Sequence, residues 1–251
     1  MSVAVLMYHH VLSKDSFIAS GIDNFEKQME FIAKNYQTLS SEEFYRYKLG
    51  EFKPKKKAVF ITFDDGWRDN LEFAYPVLKK HSLKATLFLV TGWADKASEK
   101  EYPFVERKHN ECKDIIKKRP NEVFLNWSQV ESMRDVFDIH SHTHFHKDEY
   151  FGKISLEEEL VLSKERLKAK LGIDSFHLCW PRGVYDYNDI ELAKKIGYKI
   201  FYTTKRGINR PDKNLDEIKR IAVKKDDRWL KKQMFIFSND ILGSLYAKVK
   251  S

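Results

Sequence analysis

Short apolar runs alternate with stretches in which apolar residues recur every three or four positions, and this rhythm holds over most of the chain. Residues 3–8, 58–63, 85–90, 136–140, 176–180 and 199–202 are dense in aliphatic, β-branched and aromatic side chains and predict strands. Helices are predicted between them. Asp23 with Glu26 three residues on predicts an N-cap, followed by a helix that buries Phe25, Met29 and Ile32. A second helix is expected around 70–81. Ser155 and Glu158 form a capping-box pattern ahead of Leu156, Leu160, Leu167 and Leu171 on one face, with Gly172 at the C-cap position. Strands and helices alternating in this way mark a parallel α/β architecture.

No repeat, low-complexity tract or Pro/Gly-rich linker divides the pattern, so a single catalytic domain over 1–251 is expected, with 226–251 a C-terminal helical extension. The polar, basic stretch 99–119 breaks the rhythm and reads as an insertion over a site. The charged run 53–57 reads as a solvated loop. Residues 229–250 mix Met234, Phe235, Ile236 and Phe237 with lysines. They suit a helix packed on the core, or alternatively a basic amphipathic anchor in weak contact with a membrane surface.

Composition narrows the partners. The net charge of +8 favours anionic ligands, but the basic residues are scattered and no nucleic-acid motif accompanies them, so nucleic acid is not expected as a partner. Cys112 and Cys179 lack metal-type spacing and read as free thiols of a reducing compartment. The first residues lack the basic and long apolar regions of a signal peptide, and no apolar segment is long enough to span a bilayer. A cytoplasmic location is the expectation.

Candidate chemistry falls at the ends of predicted strands, where α/β folds place it. Thr62-Phe63-Asp64-Asp65-Gly66-Trp67 puts two carboxylates beside a glycine. Successive strand residues point to opposite faces, so both carboxylates reach one site only if a turn follows the strand. Taken alone, Asp-Asp-Gly is equally a surface turn. His140-Ser141-His142-Thr143-His144-Phe145-His146 is more specific, with four of the nine histidines of the chain. His142 and His146, four apart, would share one face of a helical turn at metal-ligand separation. A surface cluster of histidines would not normally follow so apolar a strand. Two imidazoles and one carboxylate leave coordination positions open, and the neighbouring carboxylate would deprotonate the metal-bound water. The residues themselves point to metal-assisted hydrolysis.

These motifs resemble the polysaccharide deacetylases of carbohydrate esterase family 4, with their nodulation-type deacetylase homology domain. The likeness is nearest in style to the branch with the poly-N-acetylglucosamine deacetylases. Thr62 to Gly66 is similar to the first motif of the family, His142-Thr143-x-x-His146 to the second, and Trp180-Pro181-Arg182-Gly183-Val184-Tyr185-Asp186 to the third. The likeness runs from about residue 3 to about residue 223 and includes Leu6 to Val11, Lys84 to Phe88 and Asn126 to Gln129. It implies an irregular (β/α) barrel of about seven repeats, a distorted TIM barrel. It also implies that Asp64 is the general base, that Asp65, His142 and His146 hold the metal, and that Thr143 braces the second motif. Pro181, Gly183 and Tyr185 belong to a loop that would form one wall of the groove, its N–H groups helping to stabilise the oxyanion. Zinc is the implied ion, with cobalt or another divalent ion accepted in the family. The implied substrate is an N-acetylated saccharide, a glycan or a sugar on a nucleotide or lipid diphosphate. Removal of its N-acetyl group leaves a free amine.

The usual C-terminal histidine that protonates the leaving amine is missing, since no histidine follows His177. The acid is then His9 or His144, each of which reads equally as a structural histidine, or protonation falls to water or to the base itself. Arg182 replaces a common aromatic and suits either an acidic substrate or a structural ion pair. Asp138 and Asp186 are orienting carboxylates or plain loop residues. Trp67 and Trp180 suit sugar stacking or core packing, and Cys179 reads as a small buried hydrophobe. Two other functions compete: a catalytically silent glycan-binding descendant, and an amide hydrolase acting on a non-sugar substrate.

Overall fold

A computed structural model describes residues 2–147, 150–223, 226–239 and 242–243. Its strands are β1 (Ala4–Tyr8), β2 (His10–Leu12), β3 (Ala19–Gly21), β4 (Gln37–Thr38), β5 (Ala58–Asp65), β6 (Ala85–Leu89), β7 (Phe137–Ser141), β8 (His177–Cys179), β9 (Ile200–Tyr202) and β10 (Ile221–Ala222). Seven of them form a parallel sheet in the order β10-β1-β5-β6-β7-β8-β9, and β4 adds to the early end of β5. The sheet curls into a half-barrel, in agreement with the irregular (β/α) barrel expected.

Alternation of side chains gives this sheet two apolar faces. Leu6, Ile61, Leu87 and Ile139 point outward and bury against helices through Phe25, Met29, Leu167, Leu230 and Met234. Val5, Phe60, Phe88, Cys179 and Tyr202 fill the inside, and Phe44 and Tyr47 from helix Ser41–Leu49 plug one end. The other end stays open.

Local expectations met different fates. Ser155 and Glu158 cap helix Leu156–Leu171 reciprocally, and Gly172 closes it in the left-handed region at φ 71°. The first helix, in contrast, starts at Ile22, so Asp23 lies inside its first turn and Gly21 is the cap. No side chain caps the first turn, and Asp15 Oδ1 accepts the N–H of Gly21 itself at 2.6 Å. The expected helix around 70–81 is split into a π-turn, Asn70–Ala74, and an α-helix, Tyr75–Lys80. The 99–119 insertion includes helix His109–Ile116, which lies against Trp67 and Trp93 through Cys112 and Ile116. Helix Asp227–Phe237 buries Leu230, Met234 and Phe237 in the outer core and leaves Phe235 69% exposed. The remainder of the membrane-anchor reading, at 240–241 and 244–250, lies outside the described residues. No helix among the described residues is long and apolar enough to cross a membrane.

Candidate active site

The open end of the barrel gathers the ends of β1, β5, β7 and β8 around a cavity of about 220 Å³. Strand β5 runs through both aspartates instead of stopping at Phe63. The reversal comes at Asp65 itself, whose φ is 78°, and at Gly66, whose φ is 97°. This kink turns consecutive carboxylates to the same cavity. A Cβ on Gly66 would stand 2.5 Å from Leu89 Cδ1, so the turn has no room for a side chain.

His142 and His146 reach the cavity by a different route from the helical turn expected. The segment after β7 is irregular, with Thr143 at φ 66° and His146 at φ 63°. Side chains replace the missing helical hydrogen bonds. Thr143 Oγ1 accepts the His146 N–H at 3.1 Å, and Ser141 Oγ accepts the Thr143 N–H at 3.2 Å. Glu159 Oε2 accepts from the N–H groups of both His144 (2.7 Å) and Phe145 (2.6 Å). Thr143 therefore stands where the resemblance put it, behind the second histidine.

The Cys179 carbonyl lies 2.7 Å from His142 Nδ1. A carbonyl only accepts, so Nδ1 holds the proton and Nε2 presents a lone pair. That Nε2 lies 3.3 Å from Asp65 Oδ1, and His146 Nε2 lies 3.4 Å from the same oxygen. Asp65 Oδ2 accepts from Trp67 Nε1 at 2.7 Å, whereas the buried Oδ1 has no hydrogen-bond partner. A buried carboxylate oxygen beside two imidazole nitrogens is a costly arrangement unless a cation joins them. The donors of Asp65, His142 and His146 all lie within 4.8 Å of one another, and this N₂O set fits a divalent ion with open positions.

Asp64, His142 and Cys179 form a second close set. Its chemistry is poorer. Both Asp64 oxygens are engaged by Arg220, at 2.7 Å from Nη1 to Oδ1 and 2.8 Å from Nη2 to Oδ2. Burial pushes the Cys179 thiol well above its usual range, so the sulfur stays protonated. Burial also pushes the Asp64 carboxyl up, but Arg220, His142 and His9 more than offset this and hold it below the ordinary value.

Arg220 escaped the sequence reading. It is buried and also donates through Nε to the Thr203 carbonyl at 2.8 Å. Its only signal was an arginine just ahead of Ile221-Ala222-Val223, and the strand there is two residues long. His9 and His144 are sorted by geometry. His9 lines the cavity with Nε2 3.9 Å from Asp64 Oδ2. His144 faces Thr91 Oγ1 at 3.0 Å away from the cavity, and burial lowers its pKa to about 4.

In the third motif, Trp180 and Arg182 line the cavity while Pro181, Gly183 and Tyr185 stand behind them. The N–H of Gly183 donates to the Trp180 carbonyl and that of Val184 to the Pro181 carbonyl, so this tight turn uses both amides internally. Tyr185 stacks on Trp180 at 5.6 Å and donates to Glu217 at 3.3 Å. Asp186 caps helix Tyr187–Ile196, and Asp138 accepts the Ser41 N–H at 2.7 Å, structural tasks in both cases.

The polysaccharide deacetylase family profile matches residues 52–201. This chain belongs to the polysaccharide deacetylase family. Among the curated relatives of this deacetylase-family chain is YxkH of Bacillus subtilis, named as a polysaccharide deacetylase. It is 29% identical over 225 residues, 87% of this chain and 70% of the relative. A poly-β-1,6-N-acetyl-D-glucosamine N-deacetylase of Staphylococcus aureus is 26% identical, covering 80% of this chain and 67% of its own length. The Escherichia coli protein of that name is 24% identical, and the alignment spans only 32% of it. Among solved structures, Streptococcus pyogenes deacetylase PplD in complex with acetate superposes with a TM-score of 0.76 at 26% identity, covering 93% of this chain and 98% of that one. Family and fold are thus the ones the motifs implied. The family match takes in Asp64, Asp65, His142 and His146, whereas His9 and Arg220 lie outside it on either side.

Proposed function

We propose that the chain hydrolyses the N-acetyl amide of an N-acetylhexosamine unit in a saccharide. Asp65, His142 and His146 hold a divalent cation, Asp64 is the base and His9 is the acid. The observation that carries this reading is the orphaned Asp65 Oδ1 between two imidazole nitrogens, one side chain away from a carboxylate kept anionic by Arg220. A zinc or similar ion in that place supplies electrophilic polarisation of the amide carbonyl and the attacking water.

Asp64 takes a proton from the water as its oxygen bonds to the amide carbon. Arg220 fixes the carboxylate with two parallel hydrogen bonds, so its remaining lone pairs keep one direction. Asp64 Oδ2, 3.9 Å from His9 Nε2, passes the abstracted proton to His9. Collapse of the tetrahedral centre breaks the C–N bond as His9 hands that proton to the departing nitrogen. Acetate and a free amine leave. Trp67, Trp93 and Trp180 line the cavity as packed walls, buried against His10, Phe124, Tyr185 and Phe201, and leave only their rims to a sugar ring.

The decisive experiment measures acetate release from an N-acetylglucosamine oligomer by chain loaded with zinc or cobalt, beside Asp64→Asn. Turnover in the wild type alone supports the reading. Saccharide binding without turnover in either form would instead make the chain a glycan-binding protein. Arg182 and Lys113 also line the cavity, which favours a second reading in which the sugar bears an anionic carrier. Faster turnover of a diphosphate-linked N-acetylhexosamine than of the neutral oligomer would decide for it.

A further inference from the structure

The reaction proposed above leaves a second histidine assembly unexplained. His9 and His10 are consecutive and point opposite ways: His9 faces Asp64, while His10 is 1% exposed with Nδ1 2.7 Å from Asp69 Oδ2. Asp69 Oδ1 accepts from Val11 N–H at 2.8 Å and from Asn70 Nδ2 at 3.1 Å. On its other side, His10 Nε2 meets His109 Nδ1 at 3.1 Å. His109 is the first residue of the helix in the 99–119 insertion, and it lines the cavity. Trp67, already bonded to Asp65, lies against both rings, at 4.3 Å from His10 and 5.4 Å from His109.

Hydrogen-bond direction propagates along this chain. A carboxylate only accepts, so His10 Nδ1 donates to Asp69. A His10 ring that holds a single proton, on Nδ1, presents a lone pair at Nε2, and His109 Nδ1 then donates to it. Burial, then His10, hold the His109 pKa below its ordinary value, which favours the neutral ring. A neutral His109 protonated on Nδ1 keeps a bare acceptor at Nε2. The cationic cavity residues Lys113, Arg182 and Arg220 have donors only, so they cannot receive a sugar O–H.

We infer that the Asp69–His10–His109 relay fixes His109 in one tautomer so that its Nε2 accepts a hydroxyl proton of the bound saccharide. His109 is the substrate-contacting residue, and Asp69 and His10 are positioning residues. The identity of the ligand rests on the proposed function, but the direction of the relay does not.

The test is ¹⁵N NMR of the histidine rings in the full chain, with His109→Gln to assign the signals. In the wild type, His109 Nε2 is expected in the unprotonated range and shifts when an N-acetylglucosamine oligomer is added. Asp69→Asn is the informative variant. Val11 N–H and Asn70 hold the Asn carbonyl at the Oδ1 position, so the amide NH₂ faces His10 and donates. Every bond of the relay then reverses and His109 carries its proton on Nε2. Oligomer affinity should fall roughly three- to tenfold, the worth of one neutral hydrogen bond. His10→Phe serves as a second variant, keeping a ring on Trp67 while removing the bias, so that both His109 tautomers become populated. A proton on Nε2 in the wild type, or a tautomer unchanged in both variants, overturns the relay. Oligomer binding that leaves Nε2 undisturbed overturns its role in recognition alone. A wild type that binds no oligomer overturns the saccharide reading and with it the recognition role, while the relay is still judged by its tautomer.

Discussion

Arg220 grips both oxygens of Asp64 across 156 residues of sequence, at 2.7 and 2.8 Å, with both side chains buried at the cavity wall. Paired carboxylate and guanidinium satisfy one another there, and neither tolerates the loss of its partner. Arg220→Met should therefore destabilise the fold by about 3–5 kcal/mol. Arg220→Lys keeps the charge but loses the fork, and should retain most of the stability while lowering kcat by about tenfold or more. Thermal melts beside initial rates separate the two effects. Equal melts and equal rates in both variants would remove Arg220 from the account.

Trp67 tests the support of the cation site. Its Nε1 bond to Asp65 Oδ2 leaves Oδ1 aimed at the two imidazoles. Trp67→Phe should weaken divalent-ion affinity about 10–100-fold, the usual effect of removing a partner behind a ligand. Competition with a chromogenic chelator measures this. Asp65→Ala, His142→Ala and His146→Ala should each abolish stoichiometric binding.

Gly92 touches the histidine segment from the opposite side. Its N–H donates to the His144 carbonyl at 2.8 Å, and an added Cβ would lie 2.6 Å from that same oxygen and from the Phe145 ring. Gly92→Ala should push residues 144–146 outward, lowering stability by about 1–3 kcal/mol and metal affinity with it. Unchanged chelator competition would show that His146 is positioned independently of this contact.

Stability should fall in mild acid through a histidine pair that does not line the cavity. His140 and His177 stack at 4.1 Å in the buried interior. Burial lowers His140 to about 4 and takes His177 well below its ordinary 6.5. The unfolded chain binds these protons near pH 6.5 and the folded chain resists them. Stability is therefore full above pH 6.5 and is lost as pH falls toward 4, by about 3 kcal/mol for His140 alone. Urea titrations at pH 7, 5.5 and 4.5 should follow that slope, and His177→Phe should flatten it.

The parts of the site legible in the sequence were those carried by contiguous motifs. Asp64 and Asp65 sit beside the glycine their turn requires, and the histidines cluster visibly after an apolar strand. The spacing of His142 and His146 gave their shared destination but misled about the path. Left-handed residues at Thr143 and His146 replace the helix, and threonine rarely announces such a conformation. Arg220 and His109 were not singled out, although 99–119 read as an insertion over a site. Each acquires its role only when the sheet brings β10 beside β1 or the insertion lies over Trp67, and neither has a local pattern to betray it. The third motif drew attention to Gly183 and Tyr185, yet the residues exposed to the cavity are their neighbours Trp180 and Arg182. Resemblance located the loop but not the direction of its side chains.

Strand β1 lies between β5 and β10, with Leu6 opposite both Ile61 and Ile221. During synthesis the barrel can therefore begin with β1 and β5 in hand, but its last place is filled only after residue 221 has emerged. The arginine that orients Asp64 arrives with that final strand. A nascent chain long enough to gather Asp65, His142 and His146 would still leave Asp64 without its counter-charge. Among the described residues lining the cavity, Arg220 is thus the last to be synthesised.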